Sequence, residues 1–307
     1  MENLWTLGGL TWRELISRTA RESWDDEVFG QSARLAFYHF LAIFPALVLA
    51  ARLMEHLSGA GSGLYQTLEM SLTTILPPRA SETLTGVVRE IGGGSKLTIW
   101  YALLGAVWAA LNGTWAVMSG LNVAYEVREG RPWWKTSSVT AGLTLALAVL
   151  ASASLIVLFY GRQLGEMFVG HIGHPIASYL VWQVLHWAVI AGLLLVAFAL
   201  FYRFGPNLPD RQMRWSTPGA VIAMLLWLTA SGLFRSYVAF QGHRYDEMYG
   251  SAGALAILLL WFYFTGAAIL IGGEANSEIE NAAAQRGHPD QSRPGDHRAE
   301  GTRSPRA

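Results

Sequence analysis

Apolar residues occur in long blocks along this chain rather than alternating with polar ones. Several stretches of about 20 residues contain almost no Asp, Glu, Lys or Arg, and an α-helix of that length crosses about 30 Å of hydrocarbon. The blocks predict six spanning helices, at about residues 34–54, 97–122, 138–160, 179–202, 218–237 and 251–273. The predicted fold class is an all-α integral membrane protein with six transmembrane helices.

The segment between the first two predicted spans, residues 56–96, has a different pattern. It is too polar to span, yet apolar residues recur at helical spacing on either side of Pro77 and Pro78. This predicts two short amphipathic helices in the first outer loop, lying on the membrane interface or dipping into a lipid-exposed cavity. Packing of these helices against the outer face of the bundle is the alternative.

Three regions follow from these patterns. Residues 1–30 are predicted to be a cytoplasmic amphipathic segment, and residues 31–280 the six-helix transmembrane domain. Residues 281–307 are rich in Arg, Gly, Pro, Ser and Asp without apolar periodicity, which predicts a disordered cytoplasmic tail.

Charge supports the membrane interpretation and gives an orientation. The chain is 52% hydrophobic and 14% charged, whereas soluble proteins carry about 25% charged residues. If the N-terminus is inside, 15 of the 22 Lys and Arg residues lie in inside segments. Cytoplasmic segments carry such an excess, so we expect both termini inside and a multi-pass membrane protein.

The sequence contains no recognisable enzyme motif. It has no cysteine, no phosphate-binding glycine loop, no zinc-protease helix and no Gly-x-Ser-x-Gly elbow. Its net charge is zero and its eight histidines are scattered. We therefore expect no catalytic residue, metal, cofactor or nucleic-acid partner, and membrane lipids as the surroundings.

Polar groups inside predicted spans are the candidates for function, because they are costly in lipid. His39 and Pro45 lie in the first span, where the proline removes a backbone hydrogen bond and predicts a kink or hinge. Asn112 lies on a small-residue face of the second span. Helix packing is the structural alternative for Asn112, and lining of a substrate path is the functional one.

Several short clusters share their order and spacing with one known family. They are Leu35-Ala36-Phe37-Tyr38 with Phe44-Pro45, Leu76-Pro77-Pro78, Asn122-Val123-Ala124-Tyr125-Glu126, Tyr202-Arg203 with Pro206, Trp215-Ser216-Thr217-Pro218-Gly219, Tyr249-Gly250-Ser251-Ala252-Gly253 and Gly273-Glu274-Ala275-Asn276. From about Trp24 to Glu280 the chain resembles the YihY/BrkB family of bacterial inner-membrane proteins. His39 departs from the family, which more often has a small polar residue there.

The resemblance implies two groups of site residues. A gate or polar network at the inner ends of the helices comprises Asn122, Tyr125, Glu126, Arg128, Arg203, Glu274 and Asn276. A hinge or pathway comprises Tyr38, Pro45, Pro218, Tyr249 and Gly250, together with His39 and Asn112, which are candidates because of their place in the predicted spans and not because of the resemblance. Glu126 and Glu274 are expected to pair with Arg128 and Arg203.

The resemblance also implies a role in envelope integrity and the transport or translocation of a lipid or small solute. A non-transporting scaffold for an envelope assembly complex is the alternative, and an intramembrane enzyme is a weaker third. Part of the family has been labelled a ribonuclease, BN; a hydrolytic ribonuclease needs clustered metal ligands or an acid–base pair in a positively charged site. The scattered histidines argue against that label here, and oligomerisation stays open.

Overall fold

The computed structural model describes residues 4–58, 96–169, 175–208, 218–249 and 251–287. In these ranges the chain is helical and has no β-strand. Its seven α-helices are α1 (Trp12–Asp25), α2 (Val28–Ser58), α3 (Lys96–Ala124), α4 (Trp133–Val169), α5 (Pro175–Phe204), α6 (Pro218–Tyr249) and α7 (Ser251–Gly287). A short 3-10 helix, Leu4–Gly9, precedes them.

Four helices are long and apolar enough to cross a membrane. The candidate spans are Trp133–Ser154, Val181–Phe204, Pro218–Val238 and Leu255–Ala283. They carry large apolar side chains on their surfaces, such as Leu145, Val184 and Leu233, each about two-thirds or more exposed. Lipid is the solvent in which such a surface is stable. These helices match the last four predicted spans.

The first two predicted spans fall within α2 and α3. Their crossing of the membrane, the orientation of the termini and the amphipathic loop helices remain predictions. Most of residues 56–96, together with Gly250 and residues 288–307, lies outside the described residues.

The predicted tail begins later than expected. α7 continues to Gly287, so residues 281–287 are helical and not part of a disordered segment. Alanine is the strongest helix former, and Ala282 is buried. Gly8 of the 3-10 helix packs against the backbone of Ile279 and Ala283, so this last part of α7 is covered.

α1 is an amphipathic helix with a well-formed start. Thr11 and Glu14 form a capping box, in which the Glu14 amide donates to the Thr11 hydroxyl at 3.3 Å and the Thr11 amide donates to Glu14 Oε2 at 2.8 Å. This pair satisfies amides that have no partner inside the helix. Leu15, Thr19 and Ser23, four residues apart, form its buried face.

The described chain divides into two compact units, which we treat separately. Unit 1 comprises Met1–Asp26, Met118–Leu225 and Ile269–Ala307, and unit 2 comprises Glu27–Val117 and Leu226–Ala268. In unit 1, α4 packs along α5, and Leu7, Leu15 and Ile279 form a buried cluster. In unit 2, Gly266 of α7 packs closely against Ser32 and Leu35 of α2.

Candidate functional site

Arg131 is the centre of a polar network in unit 1. It lies in the loop after α3, and its side chain is only 4% exposed. The guanidinium donates to the Gly205 carbonyl at 3.4 Å, to the Pro206 carbonyl, and to Asn207 Oδ1 at 3.1 Å, and it lies 3.8 Å from Glu129. A planar group with five N–H donors can serve several acceptors at once. Arg131 therefore fastens the segment after α5 to the loop after α3.

Asn122 and Asn207 extend this network. The backbone amide of Asn207 donates to Asn122 Oδ1 at 2.8 Å, and Asn122 Nδ2 donates to the Glu129 carboxylate at 3.1 Å. Asn207 Nδ2 donates to the Arg128 carbonyl at 3.1 Å. Of the predicted network residues, Asn122 takes part through its side chain and Arg128 through its backbone.

The end of α3 explains where Glu126 points. Glu126 has φ of +52°, its amide donates to the Val123 carbonyl at 2.8 Å, and the Val127 amide donates to the Asn122 carbonyl at 2.9 Å. This pair of bonds defines a Schellman motif, in which glycine is usual at the left-handed position. Here Glu126 occupies that position, and its side chain is turned to the exposed side of the helix end.

Asn276 connects α7 to α6 and to the end of α3. It is 1% exposed, and its Oδ1 accepts a 3.0 Å hydrogen bond from the amide of Gly219. That amide is in the first turn of α6, where no helical acceptor exists. The Tyr125 hydroxyl interacts with the Asn276 side chain, and burial, followed by the charge of Glu280, raises the pKa of Tyr125 well above its usual value.

Tyr202 and Gly272 set the spacing of α5 and α7. The Tyr202 hydroxyl donates to the Ile269 carbonyl at 2.7 Å. A Cβ on Gly272 would meet that hydroxyl, would lie 2.6 Å from Ala223 Cβ and would lie 2.8 Å from the Gly219 carbonyl. Gly272 is thus needed where three helices approach closely.

Glu274 and Glu278 form the acidic part of the site. Each is 2% exposed. Glu278 lies 3.6 Å from Arg18 of α1, whereas Glu274 Oε1 has no hydrogen-bond partner. Four carboxylates act electrostatically on Glu274; in decreasing order of effect they belong to Asp26, Glu22, Glu278 and Glu126. In the described part of the chain, no group of three or more His, Asp or Glu residues is placed to hold a metal ion.

The predicted ion pairs of Glu126 and Glu274 with Arg128 and Arg203 stay a prediction. Glu126 occupies the left-handed position at the end of α3, and the Arg203 guanidinium lies 5.3 Å from the centre of the Phe204 ring. Sequence reasoning instead missed Arg131, Glu129, Asn207, Arg18 and Glu278. The spacing of Glu278 four residues after Glu274, on one face of a helix, was a signal that could have identified it.

The predicted hinge or pathway residues do not form one cluster among the described contacts. Tyr38 packs edge-on against Phe37. His39 Nδ1 lies 2.7 Å from the Leu35 carbonyl, and its ring contacts Gly113 of α3 and Phe262 of α7.

The other members of this group are single features of their helices. Asn112 Nδ2 donates to the Trp108 carbonyl at 2.7 Å, within its own helix. Pro45 lies within α2, which continues to Ser58; Pro218 opens α6, as predicted, and Tyr249 ends it. A hinge function at these positions remains a prediction.

Comparison with known proteins gives relatives along most of the chain. The protein is 29% identical over 266 residues to the ribonuclease-like protein YfkH of Bacillus subtilis, covering 86% of this chain and 93% of that one. It is 27% identical over 237 residues to a UPF0761 membrane protein of Idiomarina loihiensis, covering 74% and 77%. With a UPF0761 membrane protein of Rhodospirillum rubrum it shares 26% identity over 266 residues, covering 81% of this chain but only 55% of the relative.

No solved structure is significantly similar to this chain. The family model described as "Virulence factor BrkB" matches residues 19–296. That range contains α2 to α7, the second half of α1 and all of the polar network around Arg131. The match agrees with the resemblance drawn from the sequence motifs, and with the membrane proteins among the relatives. The chain is a membrane protein and belongs to the BrkB family.

Proposed function

We propose that this protein is a transporter or translocase of the bacterial inner membrane, which moves a lipid or a small solute and so contributes to envelope integrity. The observation that carries the proposal is Glu274. It lies in the candidate span Leu255–Ala283 and is 2% exposed, and its Oε1 has no hydrogen-bond partner among the described residues. Ionisable groups at membrane depth are costly and usually mark a substrate or ion path.

The polar network around Arg131 supplies a candidate gate. Its contacts join the loop after α3 to the segment after α5 through side chains, and side-chain hydrogen bonds can exchange partners. In this proposal, opening separates those two segments and breaks the bonds from Arg131 to the Gly205 and Pro206 carbonyls. Asn207 and Asn122 separate in the same step.

The proposal does not include RNA hydrolysis. The name of the relative YfkH contains the words ribonuclease-like, but a ribonuclease has to attract a phosphate backbone with positive charge. The charges acting most strongly on Glu274 are carboxylates, and these would repel RNA.

Reconstitution tests the proposal directly. Purified protein in proteoliposomes is assayed for scrambling of fluorescent phospholipids and for flux of small solutes. We expect activity in the wild type and at least a tenfold loss in Glu274→Gln. Asp25→Asn is the matched control, because it removes a carboxylate from the exposed face of α1, where Asp25 pairs only with Arg21 among the described contacts.

A tight bilayer across lipid and solute classes would contradict transport. That result would favour the alternative of a non-transporting scaffold for an envelope assembly complex. Equal activity of wild type and Glu274→Gln would leave transport standing but would remove Glu274 from the path.

A further inference from the structure

The contact between α1 and α7 contains an unusual set of buried polar atoms. The Thr19 and Ser23 hydroxyls of α1 and Glu274 Oε1 of α7 are all shielded from solvent and have no hydrogen-bond partner among the described residues. Thr19 is 7% exposed, Ser23 is 4% exposed and Glu274 is 2% exposed. Buried polar groups normally have partners, so three together at one helix contact require an explanation.

The register of the two helices places these groups near one another. Leu15 of α1 shares a buried cluster with Ile279 of α7, and Arg18 lies 3.6 Å from Glu278. Further along α1, Glu22 and Asp26 act on Glu274. The helices therefore run in opposite directions.

Thr19 and Ser23 follow Leu15 by one and two turns on the buried face of α1. They accordingly lie along the stretch of α7 between Ile279 and Glu274.

The four groups that act electrostatically on Glu274 are all carboxylates. α1 contributes Glu22 and Asp26, the end of α3 contributes Glu126, and α7 itself contributes Glu278. The nearby Tyr125 and Tyr202 are phenols that bring no positive charge, and Arg18 is engaged with Glu278. An ionised carboxylate excluded from water beside four others is strongly disfavoured.

We propose that Glu274 binds a proton, and that this proton holds α1 against α7. The step is an uptake from water, in which the Glu274 carboxylate and one H⁺ become a neutral carboxylic acid. The acid has an O–H donor, and the Thr19 and Ser23 hydroxyls, which have no partner, are acceptors of the kind it requires. Proton binding thus removes a buried charge and supplies a donor at the same time.

Loss of the proton reverses both effects. The ionised Glu274 repels Glu22 and Asp26 across the contact, and it can no longer donate to a hydroxyl. Because Glu22 and Asp26 both belong to the second half of α1 or its end, that half separates first. Leu15 and the Arg18–Glu278 pair keep the first half of α1 in contact with α7 for longer. This inference concerns proton binding and the docking of α1, and it holds whether or not the protein transports anything.

Infrared titration tests the proton directly. The full chain in lipid nanodiscs is titrated while the carbonyl stretch of protonated carboxylic acids is followed. We expect a band in the wild type at neutral pH that disappears in alkali, is absent from Glu274→Gln and persists in Asp25→Asn. A neutral-pH band of equal size in Glu274→Gln would overturn the proposal.

The docking of α1 has its own readout, because the chain contains no cysteine. Nitroxide labels are placed on the exposed positions Ala20 and Gln285 through the pair A20C and Q285C. The distance distribution is measured across the same titration. We expect one narrow distance that broadens in alkali in the wild-type background, and the narrow distance at every pH in Glu274→Gln, whose amide is neutral and can donate.

Two further outcomes would overturn the proposal. A distance distribution that does not change with pH in the wild-type background would show that the docking of α1 does not depend on a proton at Glu274. Recovery of the narrow distance in alkali on adding NaCl, with no recovery on adding choline chloride, would assign the site to an alkali cation instead of a proton. If Glu274→Gln fails to fold, Glu274→Asp serves as the second variant, and its band is expected to shift in pH without vanishing.

Discussion

The two compact units of this protein use their polar side chains differently. In unit 1 several of them join separate elements, as Asn276 joins α7 to the Gly219 backbone amide and Asn207 joins the segment after α5 to Asn122. In unit 2, Ser32 donates to the Val28 carbonyl and Asn112 to the Trp108 carbonyl, each within its own helix.

Unit 2 relies more on aromatic and small-residue packing. Trp227 meets Trp261 edge-on, with Trp227 Nε1 donating to Thr265 at 3.1 Å. Apart from the Trp227–Thr265 bond, this packing depends on shape, whereas the contacts of unit 1 named above depend on particular donors and acceptors. Conservative substitutions should therefore be tolerated in unit 2 and should be damaging in unit 1.

Replacement of Arg131 should have the largest effect. Arg131→Met leaves the Gly205 and Pro206 carbonyls and Glu129 without their shared donor, and we expect a loss of about 3 kcal/mol in unfolding free energy. Arg131→Lys keeps the charge but lacks the planar fork, so it should lose about half as much. Denaturation in detergent micelles measures both. Equal stability of wild type and Arg131→Met would show that the network is not needed for the fold.

Gly272→Ala should have the second-largest effect on stability. Its Cβ would lie 2.6 Å from Ala223 Cβ and close to the Tyr202 hydroxyl, and overpacking of this kind costs about 1–3 kcal/mol. The control is Gly232→Ala in unit 2, where a Cβ meets nothing within 4 Å and alanine favours the helix by up to about 1 kcal/mol. Thermal unfolding should move in opposite directions for the two variants, and a shift in the same direction would contradict the comparison.

A comparison of Asn276 in unit 1 with Asn112 in unit 2 tests the difference between the units more directly. Asn276→Ala leaves the buried Gly219 amide unpaired, so we expect a loss of about 1–2 kcal/mol. Asn112→Ala removes a bond to a carbonyl that already belongs to its own helix, and its effect should stay within about 0.5 kcal/mol. Unfolding curves of the two variants, measured under the same conditions, test this difference in stability. A larger loss of stability in Asn112→Ala than in Asn276→Ala would show that unit 2, and not only unit 1, depends on particular polar contacts.

The cap of α1 should have an effect of about 1 kcal/mol. Thr11→Ala removes the hydroxyl that accepts from the Glu14 amide. Hydrogen exchange should become faster in the first turn of α1, while Ser17→Ala on its exposed face leaves the rate unchanged. Unchanged protection of that turn in Thr11→Ala would mean that packing against α7, and not the cap, fixes the start of the helix.

Sequence patterns located the helices better than their ends. Pro218 was expected to open a helix, and it opens α6. α4 was predicted over 138–160 but extends from Trp133 to Val169, because an apolar window measures only the part suited to lipid. A helix continues beyond that window at either end, unless a proline or a run of glycines stops it.

The site was only partly predictable. Asn122, Tyr125, Glu274 and Asn276 were predicted because they lie in motifs that the chain shares with the family. Arg131 looked like an ordinary loop arginine, and its main partners lie 74–76 residues away in the sequence. No local pattern encodes such contacts. The same applies to Arg18 and Glu278, which meet only because the first helix folds onto the last.

That contact between the first and last helices sets an order of events during biosynthesis. The 3-10 helix and α1 leave the ribosome early, yet the surface that covers Gly8 and Leu15 is formed by Ile279 and its neighbours, roughly 260 residues later. At bacterial synthesis rates of roughly 5–20 residues per second, that interval is on the order of tens of seconds. During this time the N-terminal segment has no partner on α7. Its docking therefore requires that α7 has been synthesised, and a ribosome that stalls before α7 leaves that segment open to proteases.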